Sequence, residues 1–406
     1  MTRSSLYKKV RLKYLAHVEM GQSPPSTEYS SSPDDGLPFL QGTADFGPIH
    51  PTPRTYCGSP TKAASKGDIL FSVRAPVGEL NAADQDVGIG RGLCAIRAGS
   101  SLHPRFGWWA LHEARHQLNF VSTGSTYEAV ATEDVANMVI ETTGIEEQGA
   151  IADYLDREVT RLDALVAAKE RVLGLFSEKR RALITRTVTR GLDPRTSLRD
   201  SGIPWLGKIP AHWGIERSRW LFRERDERSV TGEEEMLTVS HLTGVTPRSE
   251  KDVNMFEAET NEGYKICFAG DLAINTLWAW MGAMGVASVN GIVSPAYHVY
   301  QLGPRLEPAY IDALVRMPVF AQEVTRYSKG VWSSHLRLYP EGFFEVLLPV
   351  PPIEEQRAIV AHIAKETAKI DALHSATERT ILLLKERRAT LIAAAVTGTI
   401  DIKSAA

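Results

Sequence analysis

The sequence from Ile145 to Asp193 reads IEEQGAIADYLDREVTRLDALVAAKERVLGLFSEKRRALITRTVTRGLD. The same stretch occurs a second time, from Ile353 to Asp401, as IEEQRAIVAHIAKETAKIDALHSATERTILLLKERRATLIAAAVTGTID. The two copies align without a gap and share 21 identical residues in 49 positions. A tandem array needs a short period and at least three units. Two copies of this length instead indicate a pseudo-two-fold symmetric molecule.

Each copy predicts one long helix, because it lacks internal proline and is rich in Ala, Leu, Glu, Lys and Arg. Apolar residues recur at intervals of seven, which is typical of a helix that packs along a partner helix. We therefore expect the two helices to form an antiparallel coiled coil. The main seam consists of Leu155, Leu162, Phe176 and Leu183 in the first copy and Ile363, Ile370, Leu384 and Leu391 in the second.

Composition sets limits on the class of protein. The chain has 406 residues, 43% of them apolar and 23% charged, with a formal net charge of −3. Two to three soluble domains are expected from these values. A net negative charge provides no general attraction for DNA, so any DNA affinity must come from a localised patch or from basic partners. No signal peptide or membrane span is indicated, so we expect a cytoplasmic protein.

The chain follows one plan twice, a domain and then a long helix. We predict two similar mixed α/β (α+β) domains at residues 1–143 and 201–350, and spacer helices at 144–200 and 351–406. Gly67-Asp68 and Gly270-Asp271 each precede a β-type run. A predicted helix, at Trp108–Phe120 in the first domain and at Tyr310–Tyr327 in the second, follows each run and leads into a polar loop.

The repeated helices resemble the conserved regions of the DNA specificity (S) subunit of type I restriction–modification systems. The segments Ile203-Pro-Trp-Leu-Gly-Lys-Ile-Pro-Ala-His-Trp213 and Leu348-Pro-Val-Pro-Pro-Ile-Glu-Glu-Gln356 are typical of that family. The resemblance covers the whole chain. Two departures concern the domain entries. Glu141-Thr-Thr-Gly144 stands where prolines are usual, and the first domain lacks the Trp-Leu-Gly segment.

The resemblance implies a non-catalytic, sequence-specific DNA-binding subunit. Each domain would recognise one half of a bipartite target in double-stranded DNA, and the paired helices would act as a spacer. The chain would recruit two methyltransferase (M) subunits and two restriction (R) subunits. The resemblance implies no cofactor on this chain, with S-adenosylmethionine, ATP and magnesium on those partners.

Two alternatives stay open on the residues alone. One is the specificity subunit of a related system whose partner fuses a nuclease to a methyltransferase. The other is a coiled-coil scaffold without DNA readout. A stand-alone enzyme is disfavoured, because the sequence lacks the Pro-Pro-aromatic motif of adenine methyltransferases and the Gly-Lys-Ser/Thr of nucleotide-binding loops. Gly88-Ile-Gly90-Arg-Gly92 is followed by a β-type run, which favours a tight turn over a nucleotide site.

Polar loops at equivalent positions in the two domains are the candidate DNA contacts, because Arg, Lys, Asn, Ser and Thr read base edges and bind phosphates. Trp278 and Trp280 are interpreted as core residues. Basic runs on the helices are a solvated face, or they contact the M subunits or the DNA phosphates in the gap between the half-sites. The predicted DNA-binding residues are Arg74, Arg91, Ser122, Thr123, Ser125, Thr126, Asn275, Thr276, Lys329, Trp332, Ser333 and Ser334, and the predicted partner-binding residues are Arg180, Arg181, Arg387 and Arg388.

Overall fold

A computed structural model of the chain describes residues 7–118, 130–250, 260–331, 336–400 and 402. The chain forms two compact units. One consists of Met1–Glu170 and Arg379–Ala406, and the other of Arg171–Glu378. Each unit therefore contains one predicted domain and part of each long helix. The division into four segments made from the sequence stays a prediction.

The first unit begins with eleven strands and two short helices, and the first long helix, α3, continues into the second unit. The strands are β1 (Lys8–Arg11), β2 (Ala16–Met20), β3 (Tyr29–Ser30), β4 (Leu37–Leu40), β5 (Tyr56–Cys57), β6 (Ala63–Ala64), β7 (Ile69–Ser72), β8 (Leu80–Ala82), β9 (Val87–Ile89), β10 (Leu93–Ala98) and β11 (Val139–Thr142), and the helices are α1 (Pro104–Ala114), α2 (Thr132–Asn137) and α3 (Ile145–Arg190).

The second unit adds the following elements, and its second long helix, α7, returns to the first unit. They are β12 (Leu198–Asp200), β13 (Lys208–Pro210), β14 (Gly214–Arg217), β15 (Phe222–Arg225), β16 (Leu237–Ser240), β17 (Gly244–Pro247), β18 (Lys265–Cys267), β19 (Leu272–Ile274), β20 (Met284–Val286), β21 (Gly291–Val293), β22 (His298–Leu302), β23 (Leu347–Val350), α4 (Pro308–Val315), α5 (Pro318–Arg326), α6 (Pro340–Phe343) and α7 (Ile353–Val396).

The predicted mixed α/β fold with two long helices is confirmed, and α3 and α7 are single helices of 46 and 44 residues. In the first unit, Asp163 and Glu170 of α3 pair with Arg388 and Lys385 of α7, respectively. The partner number falls as the α3 number rises, so the helices run antiparallel there. The predicted seam is buried where it meets the domain, as Leu155 is 0% exposed and packs with Ile392.

The second unit shows the same antiparallel arrangement between the other ends of the helices. Arg180 of α3 pairs with Asp371 of α7. Farther along α3, Val188 lies in one core with Ile359 of α7. The seam position Ile370 is 6% exposed. The coiled-coil pattern in the repeated sequence therefore corresponds to real helix pairing within each unit.

The two units have equivalent sheets. A four-stranded sheet has the order β2-β10-β7-β8 in the first unit and β15-β22-β19-β20 in the second. In each unit an antiparallel ribbon delivers the chain to a long helix, β1 with β11 and β14 with β23. Thus the similarity of the two domains extends to strand order and register.

In each unit a second set of strands shares a buried core with the four-stranded sheet and positions the loops of interest. In the first unit β4 pairs in parallel with β9, and β9 pairs with β6. In the second unit β21 pairs with β18, and a parallel bridge joins Met236, just before β16, to Ile292 in β21. Because parallel strands end at the same edge, the segments after β4 and β9, and those after β16 and β21, lie together.

Several predicted boundaries were wrong. The helix predicted at Trp108–Phe120 begins earlier, at Pro104, and its α-helical part ends at Ala114. The helix predicted at Tyr310–Tyr327 is two helices, because Pro318 lacks the N–H that a continuous helix needs at that point.

His112 on α1 gives the first unit a pH-dependent stability. Burial, with Arg115 and Arg388 adding repulsion, lowers the pKa of His112 to about 4 from an ordinary value of 6.5. The unfolded chain therefore binds a proton at His112 more readily than the folded chain does. The stability that the neutral, buried His112 contributes to the first unit is fully present above pH 6.5, and it is lost as the pH falls towards 4. We expect His112→Gln to remove this part of the acid sensitivity, which urea midpoints at pH 7 and pH 5 would measure. If the midpoints at pH 7 and pH 5 differ as much in the variant as in the wild type, His112 is not the source of this acid sensitivity.

Candidate nucleic-acid interface

In the first unit, the segments that follow β4, β7 and β9 enclose an open cavity of about 160 Å³. Two of the predicted DNA-binding residues, Arg74 and Arg91, line it together although they are distant in sequence. Both are exposed. The remaining lining residues are Ser23, Gln41, Gly42, Thr43, Ala75 and Gly92.

Backbone hydrogen bonds hold the three segments in fixed positions. The Gly92 N–H donates to the Gln41 carbonyl at 3.1 Å, and the Val73 N–H donates to the Gly92 carbonyl at 2.9 Å. A Cβ atom at Gly92 would lie 2.3 Å from the Gln41 carbonyl oxygen, so only glycine permits this approach. The glycines around Arg91 thus form the tight turn that the sequence predicted, between β9 and β10.

The electrostatics of this cavity are those of a cationic site. Among the residues that the structure describes, its lining contains two arginines and no aspartate or glutamate. Arginine keeps its charge at any physiological pH. We therefore call the surface defined by Arg74, Arg91, Gln41 and Thr43 the arginine cleft.

The second unit has a cavity of about 520 Å³ at the equivalent strand ends, after β16, β19 and β21. Its character is different, since aromatic and uncharged polar side chains predominate. Burial raises the pKa of Tyr297, so this hydroxyl keeps its proton. The lining residues are Met236, Leu237, Thr238, Val239, Ser240, His241, Arg248, Tyr264, Asn275, Trp278, Ala283, Ser294 and Tyr297.

Two predicted contacts in this unit, Asn275 and Thr276, are each only 5% exposed. The Asn275 amide donates to the Tyr297 hydroxyl oxygen at 2.9 Å, and the Thr276 hydroxyl donates to the Ala296 carbonyl at 2.6 Å. These side chains are occupied within the unit and hold the cavity wall in place. Their burial counts against direct contact with bases, which stays a prediction for both.

Trp278 was wrongly interpreted as a core residue. It is 49% exposed and stacks on Trp280, with ring centroids 6.3 Å apart and an angle of 20° between the planes. Because Trp278 also lines the second cavity, an aromatic surface faces solvent there. Neither the cavity nor this exposure was indicated by the local sequence, which is apolar on both sides of the tryptophans.

The exposed Lys329 lies in an isolated antiparallel bridge. Its backbone exchanges two hydrogen bonds of 2.9 Å with Arg337, a cation that the sequence analysis missed. Leu338, the next residue, donates its N–H to the Thr276 carbonyl, and this bond holds the Lys329–Arg337 pair beside the second cavity. The predicted contacts Ser122, Thr123, Ser125, Thr126, Trp332, Ser333 and Ser334 lie outside the described residues.

The helix arginines are placed in two different ways. Arg180 pairs with Asp371, and Arg388 pairs with Asp163 at 2.9 Å. Since Arg180 and Asp163 in the first copy correspond to Arg388 and Asp371 in the second, one ion pair is repeated in the two units. Arg180 and Arg388 therefore join the helices to each other. Arg181 and Arg387 are exposed and leave their guanidinium groups at the surface.

Reversing Arg388 to Asp should destabilise the helix pairing in the first unit by about 1 kcal/mol, the upper range for a partly exposed pair. The reason is repulsion from Asp163, so Asp163→Arg combined with Arg388→Asp should restore most of the loss. Urea unfolding of the two single variants and the double variant measures this coupling. Arg387→Asp, on the same helix, is the matched control. If the destabilisation of the double variant equals the sum of those of the two single variants, Arg388 and Asp163 do not interact.

A buried glutamine joins each domain to its helix, and this role was also missed. Gln148 is 0% exposed and accepts from the His103 N–H at 2.7 Å, at the start of α1. Gln356 is likewise 0% exposed and accepts from the Glu307 N–H at 2.8 Å, at the start of α4. Both occupy the fourth position of the repeated Ile-Glu-Glu-Gln. Their identity in the repeat was the available signal.

Comparison with known proteins agrees with this architecture. A family model described as the type I restriction modification DNA specificity domain matches residues 5–172. The putative type I restriction enzyme MjaX specificity subunit of Methanocaldococcus jannaschii is 34% identical over 167 residues, which are 39% of this chain and 39% of that protein. The alignment thus spans about two fifths of the length of this curated relative.

Solved structures extend the similarity of the fold to nearly the whole chain. A chain from a study titled as the structural basis of complex assembly and conformational transition of the type I R-M system has a TM-score of 0.69 at 20% identity, covering 97% of this chain and 98% of that one. The HsdS subunit from Thermoanaerobacter tengcongensis has a TM-score of 0.59 at 18% identity, covering 97% of each chain.

No helix in the described part of the chain is long and apolar enough to cross a membrane. Residues 5–172 thus match the DNA specificity domain of type I restriction–modification systems. Over nearly its whole length the chain shares its fold with the two solved chains.

Proposed function

We propose that this chain is a non-catalytic DNA-binding subunit that reads a bipartite target, one half-site with each unit. The observation that carries the proposal is a contrast between two structurally equivalent places. The segments after β4, β7 and β9 present arginines to a small cleft, whereas those after β19 and β21 present aromatic and hydroxyl groups, from Trp278, Ser294 and Tyr297, to a larger one. Equivalent frames with unlike lining residues fit two reading sites for different sequences.

The repeated elements support a framework role in the proposed function. Gln148 and Gln356 make the same connection in both units, and the interhelical ion pair also occurs twice. A protein that only joined partners would need this framework but not two different polar clefts. We propose that the helices separate the two half-sites by a fixed gap, as dimer geometry does in other DNA-binding proteins.

The helices also present apolar side chains that fit the binding of two copies of one partner. Four leucines occupy two positions of the repeat and are exposed in both copies, so the same apolar side chains are offered twice. We propose that they, with the exposed Arg181 and Arg387, bind two methyltransferase subunits, to which two restriction subunits are added. The leucines are Leu165 (43% exposed) and Leu373 (53%), and Leu175 (59%) and Leu383 (57%).

A map of methylated adenine in the source cell, with and without this chain, tests the proposal. We expect a split motif to lose methylation when the chain is removed and to regain it when the chain is restored. Leu175→Glu combined with Leu383→Glu should abolish this methylation because the methyltransferase no longer binds. The control is Ser177→Glu, which adds a carboxylate at another exposed position of α3. A methylation map unchanged by removal of the chain would overturn the proposal.

A further inference from the structure

The arginine cleft of the first unit has features that point to one kind of base. Within the part of the chain that the structure describes, neither Arg74 nor Arg91 has an ion pair with a carboxylate, and the cleft lining has no acidic residue. We propose that Arg74 and Arg91 are specificity-determining residues that bind guanine in the half-site of the first unit. This inference rests on the proposed function and adds the identity of a base.

The choice between a base and a phosphate depends on which donors are free. Phosphate sites in turns usually use backbone N–H groups. In this turn those groups are already occupied. The Gly90 N–H donates to the Leu40 carbonyl at 2.8 Å, and the Arg91 N–H donates to the Ser23 hydroxyl at 3.2 Å. As the Gly92 N–H donates to the Gln41 carbonyl, the donors that this turn leaves to a ligand are those of the Arg91 guanidinium group.

Guanidinium chemistry matches guanine in a specific way. The major-groove edge of guanine presents two acceptors, O6 and N7, to which arginine donates two parallel hydrogen bonds. Arg74 and Arg91 stand on backbone segments joined through Val73 and Gly92, so the positions of their Cα atoms are fixed before DNA binds. Such pre-organisation reduces the entropy lost on binding and sharpens selection.

The corresponding turns of the second unit carry no arginine. The four residues after β19 are Asn275, Thr276, Leu277 and Trp278, and the four after β21 are Ser294, Pro295, Ala296 and Tyr297. The preference for guanine through these turns is therefore assigned to one half-site. This asymmetry gives the experiment an internal reference, because the other half-site should not respond to changes in the cleft.

The test is selection of bound sequences from a randomised DNA duplex by the full-length chain, isolated with the subunits that accompany it in the source cell. Arg74→Lys and Arg91→Lys keep the charge but lose the two-pronged donor geometry. We expect each variant to lose tenfold or more of the preference for guanine at one position of a single half-site. Affinity for unrelated DNA should change less than twofold. Arg11→Lys, at an exposed arginine of β1 outside the cleft lining, is the matched control, and it should leave both half-sites unchanged.

Three results would decide otherwise. If the lysine variants keep every base preference while Arg91→Ala weakens binding equally for all sequences and lowers its salt dependence, the cleft binds phosphate and the inference is wrong. The inference is also wrong if the wild-type motif contains no guanine in either half-site. If the wild-type protein selects no split motif at all, the proposed function itself is overturned.

Discussion

Replacing Gln148 by leucine is expected to lower the free energy of unfolding of the first unit by about 3 kcal/mol or more, because several buried polar groups lose their partners together. The Gln148 amide nitrogen donates to the Ser101 carbonyl at 3.0 Å, to the Thr142 hydroxyl at 2.9 Å and to the Thr143 carbonyl at 2.7 Å. Its oxygen accepts from the His103 N–H. Leucine fills similar space and supplies none of these bonds.

Hydrogen exchange of the full chain measures this effect in each unit separately. Amides at 93–107 and 139–150 should lose protection in Gln148→Leu, whereas the equivalent amides around Gln356 should not, since the second glutamine is intact. Gln148→Glu tests the donor role, because it keeps an acceptor for His103 but turns an oxygen towards carbonyl oxygens. The control is Gln322→Glu, at an exposed position of α5. Wild-type protection in both Gln148 variants would show that the glutamine does not join domain to helix.

The repeat explains why so much of the fold could be predicted. A heptad pattern of strong helix formers, interrupted in the main seam at Lys169 and Thr377, has few alternatives to a long paired helix, and its two copies indicated two similar domains. The structure confirms that each copy forms one long helix, α3 at Ile145–Arg190 and α7 at Ile353–Val396. Short helices were placed less well. Residues 310–327 are apolar enough for one helix, and only the cost of Pro318 within it separates α4 from α5.

The candidate site was harder to predict because it depends on contacts between distant segments. Arg74 and Arg91 were chosen as polar residues of turns, and their joint position in one cleft follows from the pairing of β4 with β9 and of β7 with β10. Asn275 was chosen by the same rule, yet it is buried because Tyr297 and Val239 offer it hydrogen bonds. Local sequence gives residue type and loop position, but it does not show which side chain the fold itself uses.

A second large effect is expected at Trp213, the last residue of the segment that helped to indicate the family. Trp213 is 2% exposed and packs in the core of the second unit with Val188 and Ile359 of the two long helices. Its indole N–H donates to Glu355 at 3.0 Å, in the first turn of α7. Replacement of a buried tryptophan by alanine typically costs about 3–5 kcal/mol, so Trp213→Ala should bring the second unit close to unfolding.

The contributions of the Trp213 ring and of its hydrogen bond to stability can be measured separately. Trp213→Phe keeps most of the buried ring but removes the N–H, and it should cost about 1–2 kcal/mol. Glu355 still accepts from His212 at 2.8 Å, which limits the loss from that side. Trp220→Ala is the matched control, since Trp220 is 73% exposed. In urea unfolding and in hydrogen exchange of residues 353–370, we expect the largest loss of stability for Trp213→Ala, a smaller loss for Trp213→Phe and the smallest for Trp220→Ala. Equal effects of Trp213→Ala and Trp220→Ala would mean that Trp213 does not anchor the second domain to its helices. The expected order makes the segment part of the framework, so its variants should weaken binding to every DNA sequence alike, whereas changes in the arginine cleft alter sequence preference.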